Sequence, residues 1–277
     1  MRRQFAGKVA FITGAARGQG RSHAVRFAAE GADIIAVDLC RQLDSVTYPM
    51  STPADLDETT RLVERTGRSI VAEHVDVRDP DEVESAIALG MKEFGRVDFV
   101  LANAGVAPGL DADPRDRAPF VDAIEVMLSG VFYTVEAALP AMLKHDDGGA
   151  IVITSSTAGL KSAHRGFALK SPGGAGYTAA KHGVVGLMRY YANTLAEKRI
   201  RVNTVHPSGV STPMILNDQF AQFAAEHREY ASAVQNLLPV PRLDVSDISD
   251  AMVYLCGESG RYITGVAMPV DAGFAAL

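Results

Sequence analysis

The sequence contains a tyrosine and a lysine four residues apart, Tyr177 and Lys181, in a segment of helical character. Side chains four residues apart on a helix share a face, so the Lys181 ammonium would favour the ionised form of the Tyr177 phenol. A free phenol has a pKa of about 10, and accepting a proton near neutral pH requires roughly 4 kcal/mol of such help. The pair therefore predicts a proton acceptor for a hydroxyl group. A half-buried tyrosine beside a surface lysine is the alternative interpretation of this spacing alone.

A glycine-rich turn follows the first apolar segment of the chain and precedes a predicted helix. Glycines at such a turn let the backbone approach a pyrophosphate, and the helix N-terminus supplies free N–H donors. Asp38 ends the next predicted strand, where its carboxylate would accept hydrogen bonds from the ribose hydroxyls of NAD and repel the 2′-phosphate of NADP. The pattern predicts NAD; a structural turn with Asp38 as a helix cap is the alternative. The candidate binding residues of the turn are Gly14, Arg17, Gly18, Gln19 and Gly20.

Short apolar segments alternate with longer amphipathic ones along the whole chain. This alternation predicts strands joined by helices in a parallel sheet. Ile151–Ile153 is apolar without alternation, as expected when helices cover both faces of a strand. The sequence therefore predicts an α/β fold, a doubly wound parallel sheet with no domain boundary within residues 1–277. The predicted strands are Val9–Thr13, Ile34–Val37, Ser69–Val75, Val97–Leu101, Ala150–Thr154, Arg201–Val205 and Val266–Val270.

Composition excludes several classes of partner. The net charge is −6, and the 27 lysines and arginines are scattered among 33 acidic residues, so nucleic acid is not an expected ligand. Cys40 and Cys256 lie far apart, as is typical of a reducing compartment, and the histidines lack the spacing of metal ligands. No stretch approaches the run of about 18 apolar residues that spans a bilayer, and no signal peptide is evident. We expect a cytoplasmic protein without membrane or catalytic-metal binding.

Five motifs in the same order resemble those of the short-chain dehydrogenase/reductase family over nearly the whole chain. The resemblance implies a Rossmann fold and hydride transfer between NAD and an alcohol or ketone. It also implies that Asp76 and Val77 contact adenine, and that Asn103, Ala104 and Gly105 lie beside the cofactor. The motifs are the Gly-x-x-x-Gly-x-Gly turn, Asp76-Val77, Asn103-Ala104-Gly105, Tyr177-x-x-x-Lys181, and Ile263-Thr264-Gly265 with Val270-Asp271.

The resemblance also assigns catalytic roles. Tyr177 is the implied general acid/base, and Lys181 lowers its pKa and holds the nicotinamide ribose. Ser156 orients the substrate oxygen and is preferred to Ser155 because the family's serine stands three residues before a glycine, here Gly159. The segment after the sixth strand resembles the family's Pro-Gly loop, in which Pro207, Val210 and Thr212 would contact the nicotinamide carboxamide.

Two features depart from the usual family pattern. Met127 stands where the family has an asparagine that holds a water in a proton relay, and methionine cannot take that role. The loop 161–174 lengthens the interval between Ser156 and Tyr177, which reshapes the predicted substrate entrance. The region 206–245 reads as helices over an apolar substrate pocket or as plain core packing.

An insert at Leu39–Ala54, together with the phrases around the glycine turn and after Lys181, resembles the mycofactocin-coupled, carveol dehydrogenase-like branch of the family. That resemblance implies a lid over bound NAD, electron transfer to mycofactocin, a hydrophobic, terpenoid-like alcohol and a homotetramer. A surface excursion is the alternative interpretation of the insert. The alternative functions are an NAD-exchanging dehydrogenase for a steroid or other alcohol, and a non-catalytic nucleotide-binding sensor or scaffold.

Overall fold

The computed structural model describes residues 3–109, 113–162, 167–227 and 235–276. Its strands are β1 (Val9–Thr13), β2 (Asp33–Asp38), β3 (Ile70–His74), β4 (Phe99–Ala102), β5 (Gly149–Thr154), β6 (Ile200–Pro207) and β7 (Ala267–Val270). All seven lie parallel in one sheet, in the order β3-β2-β1-β4-β5-β6-β7. The predicted doubly wound fold is confirmed, and every predicted strand overlaps an observed one.

The helices connect consecutive strands. Three of them begin with a hydroxyl or carboxylate cap followed by proline, at Thr52, Asp79 and Ser171. The cap accepts a hydrogen bond from a free backbone N–H, and proline lacks the N–H that would have no partner there. The helices are α1 (Gly18–Ala29), α2 (Pro53–Glu64), α3 (Pro80–Phe94), α4 (Ala118–Ile124), α5 (Gly130–Met142), α6 (Pro172–Thr194), α7 (Asp218–Glu226) and α8 (Val245–Cys256).

Helices cover both faces of the sheet. Ala10 and Ile12 of β1 pack in the core formed with α1, α2 and α8, whereas Val9 and Phe11 pack on the other side with α3, α5 and α6. Successive strand residues point to opposite faces, so a strand covered on both sides must be apolar throughout. This explains the uninterrupted apolar segments of the sequence.

Two segments, which follow β5 and β6, are partly helical. In the loop 161–174, α6 begins at Pro172, and residues 163–166 lie outside the described residues. In the region 206–245, α7 confirms one of the predicted helices and buries Phe223, whereas residues 228–234 lie outside the described residues.

A π turn, Glu125–Ser129, joins α4 to α5 within one continuous helical run. At its end the Gly130 N–H donates to the Glu125 carbonyl, five residues back, instead of to the carbonyl four residues back. Such turns accommodate one extra residue within a helix and often occur at functional sites. Met127, inside this turn, has no exposed surface.

The run Ala118–Met142 is long and apolar enough to cross a membrane by length and composition, with a mean hydropathy of 1.4 in its best window, of which 44% is buried. The count of consecutive apolar residues in the sequence did not indicate it. Its side chains Val131, Val135 and Ala138 pack in the core between the sheet and α6. The run has the packing of a core helix.

A cluster of potential metal ligands lies at the amino ends of the strands, away from Tyr177. Ligand atoms of Asp98, His145 and Asp147 lie within 4.8 Å of one another. However, Lys8 donates to Asp98 at 3.0 Å and to Asp147 at 3.2 Å, and Arg96 donates to both carboxylates as well. Because two cations already neutralise these carboxylates, the cluster is an ion-pair network in this structure.

Aromatic packing fixes α1, whose first turn carries Gly18 and Gly20, against the sheet. The Phe27 ring lies 5.0 Å from the Phe5 ring and 5.9 Å from the Phe99 ring, centroid to centroid, and is fully buried. We expect Phe27→Ala to lower the free energy of unfolding by about 3–5 kcal/mol, because the change removes buried surface and leaves a cavity. Urea unfolding of the variant measures this loss.

The matched control is Leu89→Ala on α3, because the Leu89 side chain is 45% exposed. Its expected cost is about 1 kcal/mol or less. A loss for Phe27→Ala no larger than that of the control would contradict the packing described for α1.

Candidate active site

A cavity opens at the carboxyl ends of β1 and β4, where the strand order reverses. Open α/β sheets bind ligands at this switch point. Most of the residues predicted to bind the cofactor line the cavity, whereas Ser156, Pro207 and Val210 are outside its lining in the described part of the chain. The predicted residues in its wall are Gly14, Arg17, Gly18, Gln19, Gly20, Asp38, Asp76, Val77, Asn103, Ala104, Gly105, Tyr177, Lys181 and Thr212.

The glycine turn has a backbone that other residues would not fit. Gly14 has a φ of +66°, and a Cβ there would lie 2.8 Å from the Ala104 Cα. A Cβ on Gly20 would lie 2.0 Å from the Gly14 carbonyl oxygen. Gly18, Gln19 and Gly20 begin α1 and line the cavity, and the helix has no side-chain cap, which suits a pyrophosphate at its N-terminus. The Gln19 amide oxygen is buried without a hydrogen-bond partner among the described residues, which leaves it available to a ligand.

Asp38 connects the glycine turn to the insert. One carboxylate oxygen accepts a hydrogen bond from the Ala16 N–H at 2.9 Å. The other accepts from the Cys40 N–H at 3.1 Å and from the Ser51 hydroxyl at 2.6 Å. The side chain is therefore oriented from three directions and still borders the cavity, where its remaining lone pairs can accept from a ribose.

The three predicted catalytic residues meet at the end of β5. The Ser156 side chain lies near enough to the Tyr177 phenol to lower its pKa by hydrogen bonding. The Lys181 Nζ donates to the Thr154 carbonyl at 2.8 Å and lies 5.6 Å from the centroid of the Tyr177 ring. The neighbouring Ser155 hydroxyl instead donates to the Lys181 carbonyl at 2.8 Å, so it holds α6 against the strand. This division of roles favours Ser156 over Ser155 as the substrate-binding serine.

Burial dominates the electrostatics of this group. It raises the pKa of Tyr177, and the hydrogen bond with Ser156 opposes that effect. Burial also lowers the pKa of Lys181 to about 8. The expected lowering of the Tyr177 pKa is thus not produced by these protein contacts, because loss of hydration outweighs them.

Asn103 links the carboxyl ends of three neighbouring strands. Its side-chain amide donates to the Thr13 carbonyl at 3.1 Å and accepts from the Thr154 hydroxyl at 3.1 Å. Asn103 thereby joins β4 to β1 and β5 at the floor of the cavity. Its predicted place beside the cofactor is compatible with this structural role, because the residue lines the cavity as well.

Met127, predicted to stand at the position of the family's asparagine, faces the same group. A Cβ built on Gly105 would lie 3.6 Å from the Met127 Sδ and 3.7 Å from the Lys181 Nζ, so both side chains converge on Gly105. A thioether is a weak hydrogen-bond acceptor and no donor. The side chain therefore adds apolar contact beside Lys181 and supplies no strong polar group for a proton relay.

The insert lines the cavity and packs against its wall. Tyr48 is buried, and its hydroxyl accepts a hydrogen bond from the Ala107 N–H at 3.2 Å. The Arg17 guanidinium donates to the Pro49 carbonyl at 2.6 Å on the opposite side of the opening. Leu43 and Tyr48 also pack in one apolar cluster with Met127 and Tyr177. The insert therefore reaches beyond the predicted adenosine end, to the catalytic end of the cavity.

A chain of polar contacts, which we call the clasp, fixes the insert from outside. Arg41 of the insert donates to Asp76 at 3.0 Å, and Arg78 donates to Asp76 at 2.7 Å. Arg78 also donates to Asp122 of α4 at 2.9 Å, and Asp122 accepts from the Ser45 hydroxyl of the insert at 2.5 Å. The clasp thus begins and ends in the insert. Its members are far apart in sequence, and only the insert and Asp76 were singled out by sequence motifs.

Comparisons with known proteins agree with this geometry. The family model described as enoyl-(acyl carrier protein) reductase matches residues 14–275. The chain is 52% identical to an uncharacterised oxidoreductase of Mycobacterium tuberculosis, covering 98% of this chain and 97% of that protein. It is 45% identical to the (−)-trans-carveol dehydrogenase of Rhodococcus erythropolis, covering 96% and 97% respectively. A crystal structure of carveol dehydrogenase from Mycobacterium avium in complex with NAD aligns with a TM-score of 0.91 at 46% identity, over 99% of each chain.

The lowered pKa of Lys181 predicts a pH-dependent stability effect. Because the folded pKa of about 8 lies below the ordinary value of 10.5, burial of the ammonium costs stability in full below pH 8, and the cost fades as the pH rises towards 10.5. We expect Lys181→Met to stabilise the protein by about 2 kcal/mol more at about pH 7 than at about pH 9.5. Urea unfolding of both proteins at both pH values measures the difference.

Lys144→Met is the matched control, because Lys144 lies on the surface. Its effect on the free energy of unfolding should be the same at the two pH values. If the effect of Lys181→Met were also the same at the two pH values, the pKa of the buried amine would not be lowered.

Proposed function

Since the chain belongs to the short-chain dehydrogenase/reductase family, we propose that this oxidoreductase transfers a hydride between NAD and an alcohol or ketone, with Ser156, Tyr177 and Lys181 as its catalytic residues. The observation that carries the proposal is the meeting of Tyr177 with Ser156 and Lys181 at the cavity beside the glycine turn. A hydroxyl donor, a proton acceptor and a cation then stand together next to a dinucleotide-shaped cleft.

Oxidised NAD supplies an electrophilic ring carbon that takes the hydride, and its ring brings the positive charge that the Tyr177 phenol lacks. In the oxidation direction the substrate C–H bond breaks with its electron pair, and the Tyr177 oxygen accepts the hydroxyl proton, so that a ketone forms. Ser156 donates a hydrogen bond to the substrate oxygen and holds it against Tyr177. Lys181 favours the phenolate by its charge.

Different residues would bind different parts of the cofactor. The N–H groups of the glycine turn, from Gly14 to Gly20, would hold the pyrophosphate, and Asp38 would accept from the adenosine ribose. Asp76 and Val77 would border the adenine. The remaining contacts from the cavity wall would come from Asn103, Ala104, Gly105, Tyr177, Lys181 and Thr212. Pro207 and Val210, outside the lining, would add contacts to the nicotinamide end.

We further propose that NAD stays on the protein and that its electrons leave through a small redox carrier, mycofactocin. The support is the position of the insert, which bonds to both walls of the cavity through Arg17, Ala107 and the clasp. Release of the cofactor would require most of these contacts to open together. A conventional dehydrogenase that exchanges NAD freely, for a steroid or another alcohol, is the second candidate.

The substrate is proposed to be a hydrophobic, terpenoid-like secondary alcohol. Apolar side chains from three elements border the cavity beside Tyr177: Val126 and Met127 of the π turn, Met214 after β6, and Leu43 of the insert. These side chains would bind a ligand by burying its apolar surface, and they offer it few hydrogen-bond partners. The carveol dehydrogenase relatives support the same substrate class.

A homotetramer and a cytoplasmic location complete the proposal. The long helices α5 and α6 present large apolar side chains to solvent, with Phe132 41% and Tyr190 61% exposed. Such residues favour an interface with a second copy of the chain. Both cysteines are free and buried, which suits a reducing compartment.

The first test counts the nucleotide that the protein carries. We expect protein purified without added nucleotide to release close to one NAD(H) per chain on denaturation, and to retain it through long dialysis. A secondary alcohol added to the NAD-bound protein should then reduce that NAD in a single turnover, seen in the absorbance of the reduced nicotinamide. Tyr177→Phe should hold the same nucleotide and slow its reduction by about 10²–10⁴-fold.

The outcomes separate the candidate functions. An empty protein that binds added NAD and turns over many equivalents would support the exchanging dehydrogenase. Bound NAD that no alcohol or ketone converts would support the sensor or scaffold. A protein that binds no NAD would overturn the proposal.

The clasp predicts a specific effect on cofactor retention. Ser45→Ala removes a partly buried hydrogen bond between the insert and the Asp122 carboxylate. A hydrogen bond to a charged group contributes about 1.5–3 kcal/mol, so we expect NAD to dissociate at least about 10-fold faster. Displacement of isotopically labelled NAD by unlabelled NAD measures the rate.

Ser85→Ala is the matched control, because Ser85 is exposed on α3. Its rate should equal that of the wild type. Arg41→Ala should accelerate release by less than Ser45→Ala, because the Arg41 side chain is 63% exposed and an exposed ion pair contributes little. A wild-type rate for Ser45→Ala would refute a role for the clasp in retaining the cofactor.

A further inference from the structure

His206 lies near the end of β6 with no exposed surface, directly behind the proposed catalytic serine. Its Nδ1 lies 2.7 Å from the Ser156 carbonyl oxygen, and its Nε2 lies 2.7 Å from the Thr204 hydroxyl. Spacing in the sequence indicated no role for this histidine. Its two partners, however, place it between the sheet and the loop that carries Ser156.

The hydrogen-bond partners determine which ring nitrogen carries the proton. A backbone carbonyl only accepts, so the His206 Nδ1 must be the donor to Ser156. In the neutral ring Nε2 is then an acceptor, and the Thr204 hydroxyl donates to it. Burial, the largest effect, lowers the pKa of His206; the bond to Ser156 and Asp271 oppose this, while Lys181 and His182 act with it.

Two other contacts of Ser156 come from its own loop. Its carbonyl also accepts from the Gly159 N–H at 2.8 Å, and its Oγ accepts from the Ala158 N–H at 3.1 Å. The contact with His206 is different in kind, because it ties the same carbonyl to the neighbouring strand β6. The adjacent Ser155 N–H donates to the Val205 carbonyl at 2.8 Å, which fixes the start of the loop to the same strand.

We propose that His206 is a positioning residue for hydride transfer: held by Thr204 as the Nδ1–H tautomer, it fixes the Ser156 peptide so that the Ser156 hydroxyl stays on Tyr177. The inference rests on the proposed function, because it concerns the same reaction. Without His206, the loop retains its internal bonds and the Ser155 N–H bond to β6, but it loses the bond that holds the Ser156 peptide to the sheet. The Ser156 hydroxyl then spends less time in the geometry that binds the substrate oxygen.

His23 offers a matched control for the loss of a buried histidine. It has no exposed surface, and its Nδ1 lies 2.8 Å from the Ser249 hydroxyl of α8, away from the catalytic group. Substitution of His23 therefore measures the general effect of losing such a residue. Substitution of His206 adds any effect on Ser156.

The test is the single-turnover reduction of bound NAD by a secondary alcohol in four variants. His206→Leu removes the donor, and we expect the rate to fall about 10–100-fold while the half-saturating alcohol concentration and NAD content stay unchanged. His206→Asn places an amide N–H near the position of Nδ1 and should restore the rate to within about 5-fold of wild type. His206→Gln places its amide near Nε2 and should not. His23→Leu should keep the wild-type rate even if its melting temperature falls.

A second readout does not depend on activity or on the leucine variant. In protein labelled with ¹⁵N-histidine, NMR at neutral pH should show the His206 ring as the neutral Nδ1–H tautomer. Thr204→Val should remove the donor to Nε2 and perturb that signal. The signal is assigned by its loss in His206→Asn.

The results distinguish this inference from the function on which it rests. Hydride transfer that depends on Tyr177 but is unaffected in His206→Leu or His206→Gln would overturn the positioning role alone. An Nε2–H tautomer would do the same. No hydride transfer by the wild-type protein would overturn both.

Discussion

The buried carboxylate of Asp38 accepts hydrogen bonds from three parts of the chain, and the shape of the cavity depends on them. Ala16 belongs to the glycine turn, Cys40 lies near the start of the insert and Ser51 near its end. Cys40 adopts a φ of +51°, a conformation that costs a residue with a side chain about 1 kcal/mol. Its N–H bond to Asp38 offsets that cost, because hydrogen bonds to charged groups are the stronger ones. One side chain thus sets both the cofactor turn and the two ends of the insert.

The two sides of the cavity are built differently. On the catalytic side, Lys181, Ser155 and Ser156 are bonded to the ends of β5 and β6 or to α6, all parts of the packed core. Across the opening, Leu43, Val46 and Tyr48 of the insert pack in an apolar cluster, with Leu39 and Met50 against it. The insert also makes polar contacts with Arg17 and Asp122. The catalytic wall is therefore held by the packed core, whereas the insert is held by a small apolar cluster and by polar contacts together.

The sequence predicted those features that depend on neighbouring residues. Uninterrupted apolar segments located all the strands, and the spacing of Tyr177 and Lys181 placed both on one helix face beside Ser156. The clasp and the contact of His206 escaped prediction, because Ser45, Asp122 and His206 are unremarkable residue types whose partners lie far away in sequence. The raised pKa of Tyr177 was not predicted for a related reason. The spacing shows that a lysine is nearby, but it does not show how deeply the phenol is buried.

The π turn lets one extra residue sit within a helix without changing the direction of the side chains that follow. In a regular helix each residue advances that direction by about 100°, so an added residue would otherwise rotate all of α5 relative to α4. Because Glu125–Ser129 takes up the extra residue, Met127 faces the catalytic group, Val131 faces the core and Phe132 faces outward. Loss of one residue from the turn would leave a regular helix with α5 in its present rotation, whereas loss of one residue from α5 itself would turn every later side chain away from its neighbours. The segment Glu125–Ser129 is therefore the part of this helical run that tolerates a change of length.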